Sequence, residues 1–141
     1  MIGEYDYMKN YYQPEIETMP LEQLRTLQSE RLVQQVRFVY DHVQFYHDRM
    51  DEAGVKPEDI RGVDDLYKLP FITKDDLRDQ YPYGLLGVPL SDCVRIQSTS
   101  GTTGRRVVAF YTQEDLDIWE DCCARAIVAA GGTKEDVCHV C

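Results

Sequence analysis

Between two predicted strands the chain reads Ser98-Thr99-Ser100-Gly101-Thr102-Thr103-Gly104-Arg105-Arg106. Short hydroxyl side chains and glycines leave the backbone N–H groups of this stretch accessible, and several such groups can converge on a phosphate in a concave nest. The two arginines add charge-assisted donors for phosphate oxygens. The stretch therefore predicts a phosphate-binding loop, and a plain Ser/Thr/Gly turn between strands is the alternative.

This loop differs from the Walker A motif of nucleotide-binding proteins in two ways. That motif has a lysine and then Ser or Thr after its second glycine, whereas Gly104 is followed by Arg105 and Arg106. It also joins a strand to a helix, whereas this loop joins two predicted strands. The sequence therefore argues against a Walker A site.

The residues on either side of the loop carry strand patterns. Val94 and Ile96 alternate with polar residues, which predicts a strand over residues 93–98. The apolar run at residues 107–111 predicts a second strand that is more buried than the first. The loop is therefore expected to connect the ends of two strands.

A helix and a further strand are predicted after the second strand. Thr112 is a suitable N-cap, and the acids that follow it face the positive end of the helix dipole. The apolar positions of this helix have helical spacing: Leu116, Trp119, Cys123, Ile127 and Ala130. Gly131 and Gly132 are expected to end it. Residues 137–141 predict a third strand, from which we expect the 141 residues to be the front part of a longer protein.

The first 90 residues are predicted to be mostly helical. A long helix is expected from Pro20 to Gly54, because apolar residues along it step by four and three: Leu32, Val36, Val39, Val43, Tyr46 and Met50. This stripe favours packing on the domain over a coiled coil. Short helical turns are expected at residues 57–69, and Thr73 with Asp76 forms the pattern of a capping box.

Together these elements predict an α/β fold. Residues 1–90 would form a helical arm, and residues 91–141 would follow the order strand, phosphate loop, strand, helix and strand. The sequence contains no internal repeat. We expect the arm to lead into part of a larger mixed sheet.

Composition narrows the class of function. The chain has 15 basic and 25 acidic residues, a net charge of -10 and a pI near 4.6, and no basic cluster suggests a nucleic-acid interface. No apolar run approaches the roughly 18 residues of a membrane span, and no signal peptide is visible. The five cysteines are an odd number and include the neighbours Cys122 and Cys123. This pattern favours reduced thiols in the cytoplasm.

The loop and its surroundings together indicate a family. Residues 99–104 resemble the phosphate-binding signature of the adenylate-forming (acyl-CoA synthetase) superfamily. The flanking sequences are similar to its phenylacetate–coenzyme A ligase branch, and they are found at residues 53–60, 69–78, 81–84, 94–96, 111–112 and 115–117. The resemblance covers nearly the whole chain and implies part of the large N-terminal mixed-sheet domain of such an enzyme.

The resemblance implies a two-step ligase that uses ATP with Mg2+ and then coenzyme A. An aryl-acetic acid would be adenylated, and the coenzyme A thiol would then displace AMP. Donors to the β- and γ-phosphates would come from Thr99, Ser100, Thr102 and Thr103, and Gly101 and Gly104 would allow close approach. Ser98, Arg105 and Arg106 are further candidate phosphate contacts. Many superfamily members carry Pro-Lys after the loop, which is lacking here, so an arginine substitute for that lysine stays open.

The resemblance also sets expectations about the rest of the protein. Lys74 is a candidate for the entry to the acid pocket. No catalytic residue and no metal ligand is assigned within the chain, and the 141 residues alone are expected to be inactive. The partners expected are the aryl acid, ATP and coenzyme A, with no nucleic acid and no membrane. A homodimer is common in this branch.

Two other classes of function are weighed against the ligase. One is a non-catalytic interaction or dimerisation module built on the long helix, with the loop as a plain turn. The other is a metal or redox module that uses Cys138 and Cys141, although alternate residues of a strand would point these thiols apart. His42 and His47 have no neighbouring nucleophile in the sequence, so a hydrolase triad is not supported.

Overall fold

The structure is a computed structural model that describes residues 11–100 and 106–139. These residues form two compact units. One, the central unit, lies within residues 21–113, and the other, the terminal unit, combines residues from 11–20 with those from 114–139. The described residues of the predicted phosphate loop, which are residues 98–100 and 106, fall in the central unit.

Most of the central unit is helical. Helix α1, Pro14–Glu17, precedes it, and the unit begins with α2, Leu21–His42, and α3, Gln44–Glu52. Two 3₁₀ helices follow at Pro57–Asp59 and Val63–Lys68, then α4 at Lys74–Asp79 and a third 3₁₀ helix at Leu90–Asp92. The helical turns predicted at residues 57–69 are confirmed.

The single long helix predicted from Pro20 to Gly54 is wrong, because Val43 divides it in two. Val43 has an extended backbone, with φ −124° and ψ 103°. Its N–H still donates to the Val39 carbonyl at 3.0 Å, and its carbonyl accepts from His47 at 3.1 Å. The break therefore costs few backbone hydrogen bonds, and Val43 is 4% exposed. A hydrophobic pattern that continues through the break could not reveal it.

The core of the central unit lies between α2, α3 and the segment after them. Val36, Met50 and Ile60 form it at 4%, 3% and 2% exposure, and Leu32 and Leu69 are among the half-buried residues packed against it. The apolar stripe therefore packs within the unit and not in a coiled coil. About 25 cal/mol of stabilisation per Å² of buried apolar surface drives this packing.

The capping box predicted for α4 is confirmed. Thr73 accepts a hydrogen bond from the Asp76 N–H at 3.2 Å through its hydroxyl oxygen. The Thr73 N–H donates to Asp76 Oδ2 at 2.7 Å. Two backbone donors at the start of a short helix are thereby satisfied.

The two predicted strands pair as an antiparallel hairpin. Strand β1 is Cys93–Ser98 and β2 is Val108–Thr112, with Ile96 opposite Phe110 and Ser98 opposite Val108. All residues of β2 are half-buried, whereas β1 is exposed after its first residue. The greater burial of the second strand is thus confirmed, while a larger mixed sheet stays a prediction.

Helix α5, Gln113–Ala129, forms as predicted and ends in a Schellman motif. Gly131 has φ +90°, a left-handed conformation that glycine adopts without steric cost. Its N–H donates to the Val128 carbonyl at 2.9 Å, and the Gly132 N–H donates to the Ile127 carbonyl at 2.9 Å. Of the predicted apolar stripe only Leu116 is buried, at 8% exposure.

The third strand predicted from Val137 is not formed at the three described positions. Residues 137–139 carry no regular structure, and residues 140 and 141 lie outside the described residues. Apolar residues alone do not make a strand, because the backbone N–H and C=O groups of a strand need a hydrogen-bonded neighbouring strand.

None of the helices in the described ranges has the length and hydropathy needed to cross a membrane.

Candidate phosphate-binding site

The hairpin brings the two ends of the predicted phosphate loop together. Ser98 and Val108 form the last pair of the β1–β2 ladder. One residue further, the Thr99 N–H donates to the Val107 carbonyl at 3.0 Å, as it would in a continued ladder. The Val107 N–H in turn donates to the Thr99 side-chain oxygen at 3.2 Å. The described base of the loop is therefore a backbone pair closed on one side by a threonine hydroxyl.

Ser98 and Arg106 meet at the same end of the hairpin. The Arg106 guanidinium donates to Ser98 Oγ over 3.4 Å, a long hydrogen bond between two exposed side chains. Ser100 is exposed as well. Of the residues predicted to hold phosphate, the structure thus places Ser98, Thr99 and Arg106 together.

The remaining predicted loop residues are Gly101, Thr102, Thr103, Gly104 and Arg105, and they lie outside the described residues. Their assignment to phosphate rests on the sequence and stays a prediction. The described residues on either side of this segment belong to the β1–β2 hairpin, so both of its ends are anchored.

Lys74, the candidate for the acid pocket, is the first residue of α4. Its side chain is exposed, and the cap made by Thr73 sets its position at the start of the helix. The role of Lys74 toward an acid stays a prediction. Cys138 is exposed, and its predicted metal-binding partner Cys141 lies outside the described residues.

A polar cluster that the sequence did not predict joins α2, α3 and the segment that follows them. The Lys56 ammonium donates to Asp51 Oδ1 at 2.5 Å and to Tyr40 Oη at 2.8 Å, and the Tyr40 hydroxyl donates to Asp51 at 2.7 Å. His47 stacks on the Tyr40 ring with centroids 4.1 Å apart. Only the spacing of four residues between His47 and Asp51 hinted at this arrangement in the sequence.

The charges of this cluster stabilise one another. The hydrogen bond from Lys56, followed by that from Tyr40, lowers the pKa of the Asp51 carboxyl below its usual value. The same two partners, Asp51 first, raise the pKa of the Lys56 ammonium. Because these groups are exposed to solvent, which screens them, the cluster serves as a surface tie between elements and not as a reactive centre.

Two open grooves also lie in the central unit. One of about 590 Å³ runs along α2, where Arg25 and Asp64 on its lining form an ion pair at 2.5 Å. The other, of about 410 Å³, lies beside an ion pair of 3.4 Å between Arg49 and Asp76. These pairs join residues far apart in the sequence, so no local pattern could have revealed them.

Phenylacetate-coenzyme A ligases of several bacteria are similar to this chain in sequence. A phenylacetate-coenzyme A ligase of Thermus thermophilus is 48% identical over 128 residues, which cover 91% of this chain and 29% of that protein. The enzyme of the same name from Escherichia coli is 45% identical over 125 residues, covering 89% of this chain and 29% of that protein. The chain resembles phenylacetate–coenzyme A ligases. The resemblance predicted from the sequence is thereby confirmed, and the chain spans less than a third of the length of these relatives.

Solved structures agree with this relationship. One is a 2-hydroxyisobutyryl-CoA ligase in complex with 2-HIB-AMP and CoA. Its match covers 86% of this chain and 28% of the ligase chain, with a TM-score of 0.75 and 30% sequence identity. The same ligase in the postadenylation state matches 91% of this chain and 29% of its own, with a TM-score of 0.77 and 26% identity. The α/β class, as part of an adenylate-forming ligase fold, is confirmed. No protein-family model matches the chain.

Proposed function

We propose that the chain is the N-terminal portion of an AMP-forming ligase that joins an aryl-acetic acid, phenylacetate, to coenzyme A. The observation that carries the proposal is the 48% identity to a phenylacetate-coenzyme A ligase over 91% of the chain. A match of that extent must include residues 98–106, since they lie far from both ends. The hairpin that anchors this segment supports its assignment as the phosphate-binding loop.

The proposed reaction has two steps. A carboxylate oxygen of the acid attacks the α-phosphorus of ATP, and pyrophosphate leaves with the electron pair of the broken P–O bond. The thiol sulfur of coenzyme A then attacks the acyl carbon and gives up its proton, and AMP leaves with the electron pair of the broken acyl C–O bond. The loop of residues 99–104 would hold the β- and γ-phosphates and stabilise the charge that develops on pyrophosphate, which is a positioning and electrostatic role.

Magnesium fits this scheme as a companion of the nucleotide. The described ranges hold no group of three His, Cys, Asp or Glu residues suited to a metal ion. In the proposed scheme Mg2+ would be bound to the ATP phosphates and would offset their charge. The residues of this chain would contribute neutral donors from the loop and the guanidinium groups of Arg105 and Arg106.

Further expectations concern location and assembly. We expect a cytoplasmic enzyme, because five cysteines that include a neighbouring pair suit a reducing compartment. We also expect a homodimer, as the family resemblance implies. Size measurement of the intact protein in solution tests the latter directly.

The proposal is tested first by ATP–pyrophosphate exchange with the intact protein. Phenylacetate should support exchange better than acetate or a long-chain fatty acid does. Equal exchange with all three acids would remove the phenylacetate assignment and leave the adenylation chemistry standing. Absence of exchange with every acid would refute the ligase. The 141 residues alone should produce no acyl-CoA, because the chain spans 29% of the related enzymes.

The role of the loop is tested by a double substitution, Thr102→Val with Thr103→Val, in the intact protein. Valine keeps the size and β-branching but removes two hydroxyl donors. The rate of adenylation should fall by roughly 10²–10³, as it does when an oxyanion donor is lost. Formation of the thioester from pre-formed acyl adenylate should not change, because pyrophosphate has already left.

A matched control for this experiment lies on α2. The hydroxyl of Thr26 donates to the Glu22 carbonyl at 3.0 Å and is exposed. Thr26→Val removes a hydroxyl of the same kind away from the loop, so its adenylation rate should equal that of the unaltered protein. An unchanged adenylation rate in the double variant would end the phosphate-loop assignment and favour the plain turn.

A further inference from the structure

We propose that Thr99 is a positioning residue, which holds the base of the phosphate-binding segment closed through the Val107 amide. This inference rests on the proposed function and deepens it. It differs from the family expectation that the Thr99 hydroxyl simply donates to phosphate. The described contacts give the oxygen of that hydroxyl a structural partner within the hairpin.

The argument begins with the pattern of an antiparallel ladder. Two residues directly opposite in a hydrogen-bonded pair exchange two bonds, each N–H donating to the other residue's carbonyl. Thr99 and Val107 follow the pair of Ser98 and Val108, and the Thr99 N–H donates to the Val107 carbonyl at 3.0 Å. One of the two hydrogen bonds of a regular ladder pair therefore forms one residue beyond the strands.

The second bond of this pair departs from the ladder. The Val107 N–H donates at 3.2 Å to the side-chain oxygen of Thr99. The side chain thus takes the place that a main-chain carbonyl would have, and it does so at the last described pair before residue 101. A local side-chain acceptor of this kind offers the backbone an alternative to the regular ladder. The regular ladder thus ends next to a pair in which the Thr99 hydroxyl oxygen accepts from the Val107 N–H.

The threonine hydroxyl suits this place for a chemical reason. It has two acceptor lone pairs and one proton, so accepting from Val107 leaves its proton available. Valine in its place would leave the Val107 N–H without this acceptor, whereas serine would keep it. A second contact at this end, from Arg106 to Ser98 at 3.4 Å, offers no acceptor to the Val107 N–H and cannot replace it.

The functional consequence concerns ATP. A segment that binds phosphate through backbone N–H groups needs its ends at a fixed separation, since the groups must converge on one ligand. Opening the Thr99–Val107 pair would allow the ends more freedom, and binding would then have to order them. The cost should therefore appear mainly in the KM for ATP.

The experiment compares Thr99→Val and Thr99→Ser in the intact protein, with Thr26→Val as the control. Hydrogen–deuterium exchange resolved at the Val107 amide, without nucleotide, should be about 5- to 10-fold faster in Thr99→Val, as expected for one lost hydrogen bond. The kcat/KM for ATP in pyrophosphate exchange should fall about 10-fold, mostly through KM. Thr99→Ser should restore both values, and thioester formation from pre-formed acyl adenylate should be unchanged throughout.

Each other outcome is decisive. Slower adenylation with unchanged exchange at Val107 would overturn the positioning role and leave a direct phosphate contact. Faster exchange with an unchanged KM for ATP would overturn it too, because the contact would then be purely structural. An unaltered protein that shows no pyrophosphate exchange with any acid would refute the proposed function instead, and the exchange measurement at Val107 would still report on the hairpin contact.

Discussion

Replacing Ile60 by alanine should lower the free energy of unfolding of the chain by about 3–4 kcal/mol. Ile60 is 2% exposed and packs with Val36 and Met50 in the core of the central unit. Three carbon atoms are removed at about 0.8 kcal/mol each, which gives ~2.4 kcal/mol for the transfer alone. The cavity left behind adds roughly another 1 kcal/mol, because a core relaxes only partly around it.

A graded series makes this reasoning testable. Ile60→Val removes one carbon atom and should cost about 1 kcal/mol. Leu21 is 70% exposed at the start of α2, so Leu21→Ala should stay within about 0.5 kcal/mol of the unaltered chain. Urea unfolding followed by circular dichroism at 222 nm, to which α2 and α3 contribute, measures all three. A cost for Ile60→Ala no larger than that for Leu21→Ala would refute the assignment of Ile60 to the core.

Three further predictions concern local features of the central unit. Thr73→Ala should destabilise the chain by about 1 kcal/mol through loss of the α4 cap, and Thr73→Ser should restore most of it in the same urea assay. Gly54 has φ +67°, and a Cβ atom at this position would meet no other atom within 4 Å, so Gly54→Ala should cost about 1 kcal/mol from backbone strain alone and Gly54→Asn less. Hydrogen bonds lower the pKa of Asp51 from 3.8 and raise that of Lys56 from 10.5. The Asp51 carboxylate stabilises the fold at pH values above its unfolded pKa, and this stabilisation is lost as pH falls through its lower folded pKa. The Lys56 ammonium stabilises the fold at pH values below its unfolded pKa, and this stabilisation is lost as pH rises through its higher folded pKa. Lys56→Met should therefore reduce stability near neutral pH and flatten the loss of stability that accompanies a fall in pH from the unfolded pKa of Asp51 through its lower folded value. An unchanged acid profile would contradict the pairing.

Much of the local structure could be predicted from the residues themselves. The capping box at Thr73 and Asp76 depends on side chains three positions apart, and the Schellman motif at Gly131 depends on a residue that tolerates positive φ. The alternation at Val94 and Ile96 predicted β1 with its observed bounds. These signals succeed because the interacting groups are close in the sequence.

Predictions failed where a distant contact decided the result. The break at Val43 lies inside an uninterrupted apolar stripe, and this side chain is buried at the break just as the stripe requires, so the apolar pattern carries no signal of the extended backbone. A strand was predicted at Val137, yet a strand needs a paired neighbour as well as apolar residues, and residues 137–139 have no regular structure.

For the candidate site, the sequence by itself supplied the prediction of a ligand type, and that role stays a prediction. The hydroxyl, glycine and arginine content of residues 98–106 offers donors without bulky neighbours, which favours phosphate as the predicted ligand. Only the tertiary structure decided how the ends of the segment are held. Thr99 and Val107 are eight positions apart, and the hydroxyl of one meets the N–H of the other only because two strands pair in a particular register. Donor identity is a property of each residue, whereas the meeting of two groups depends on the pairing of the chain around them.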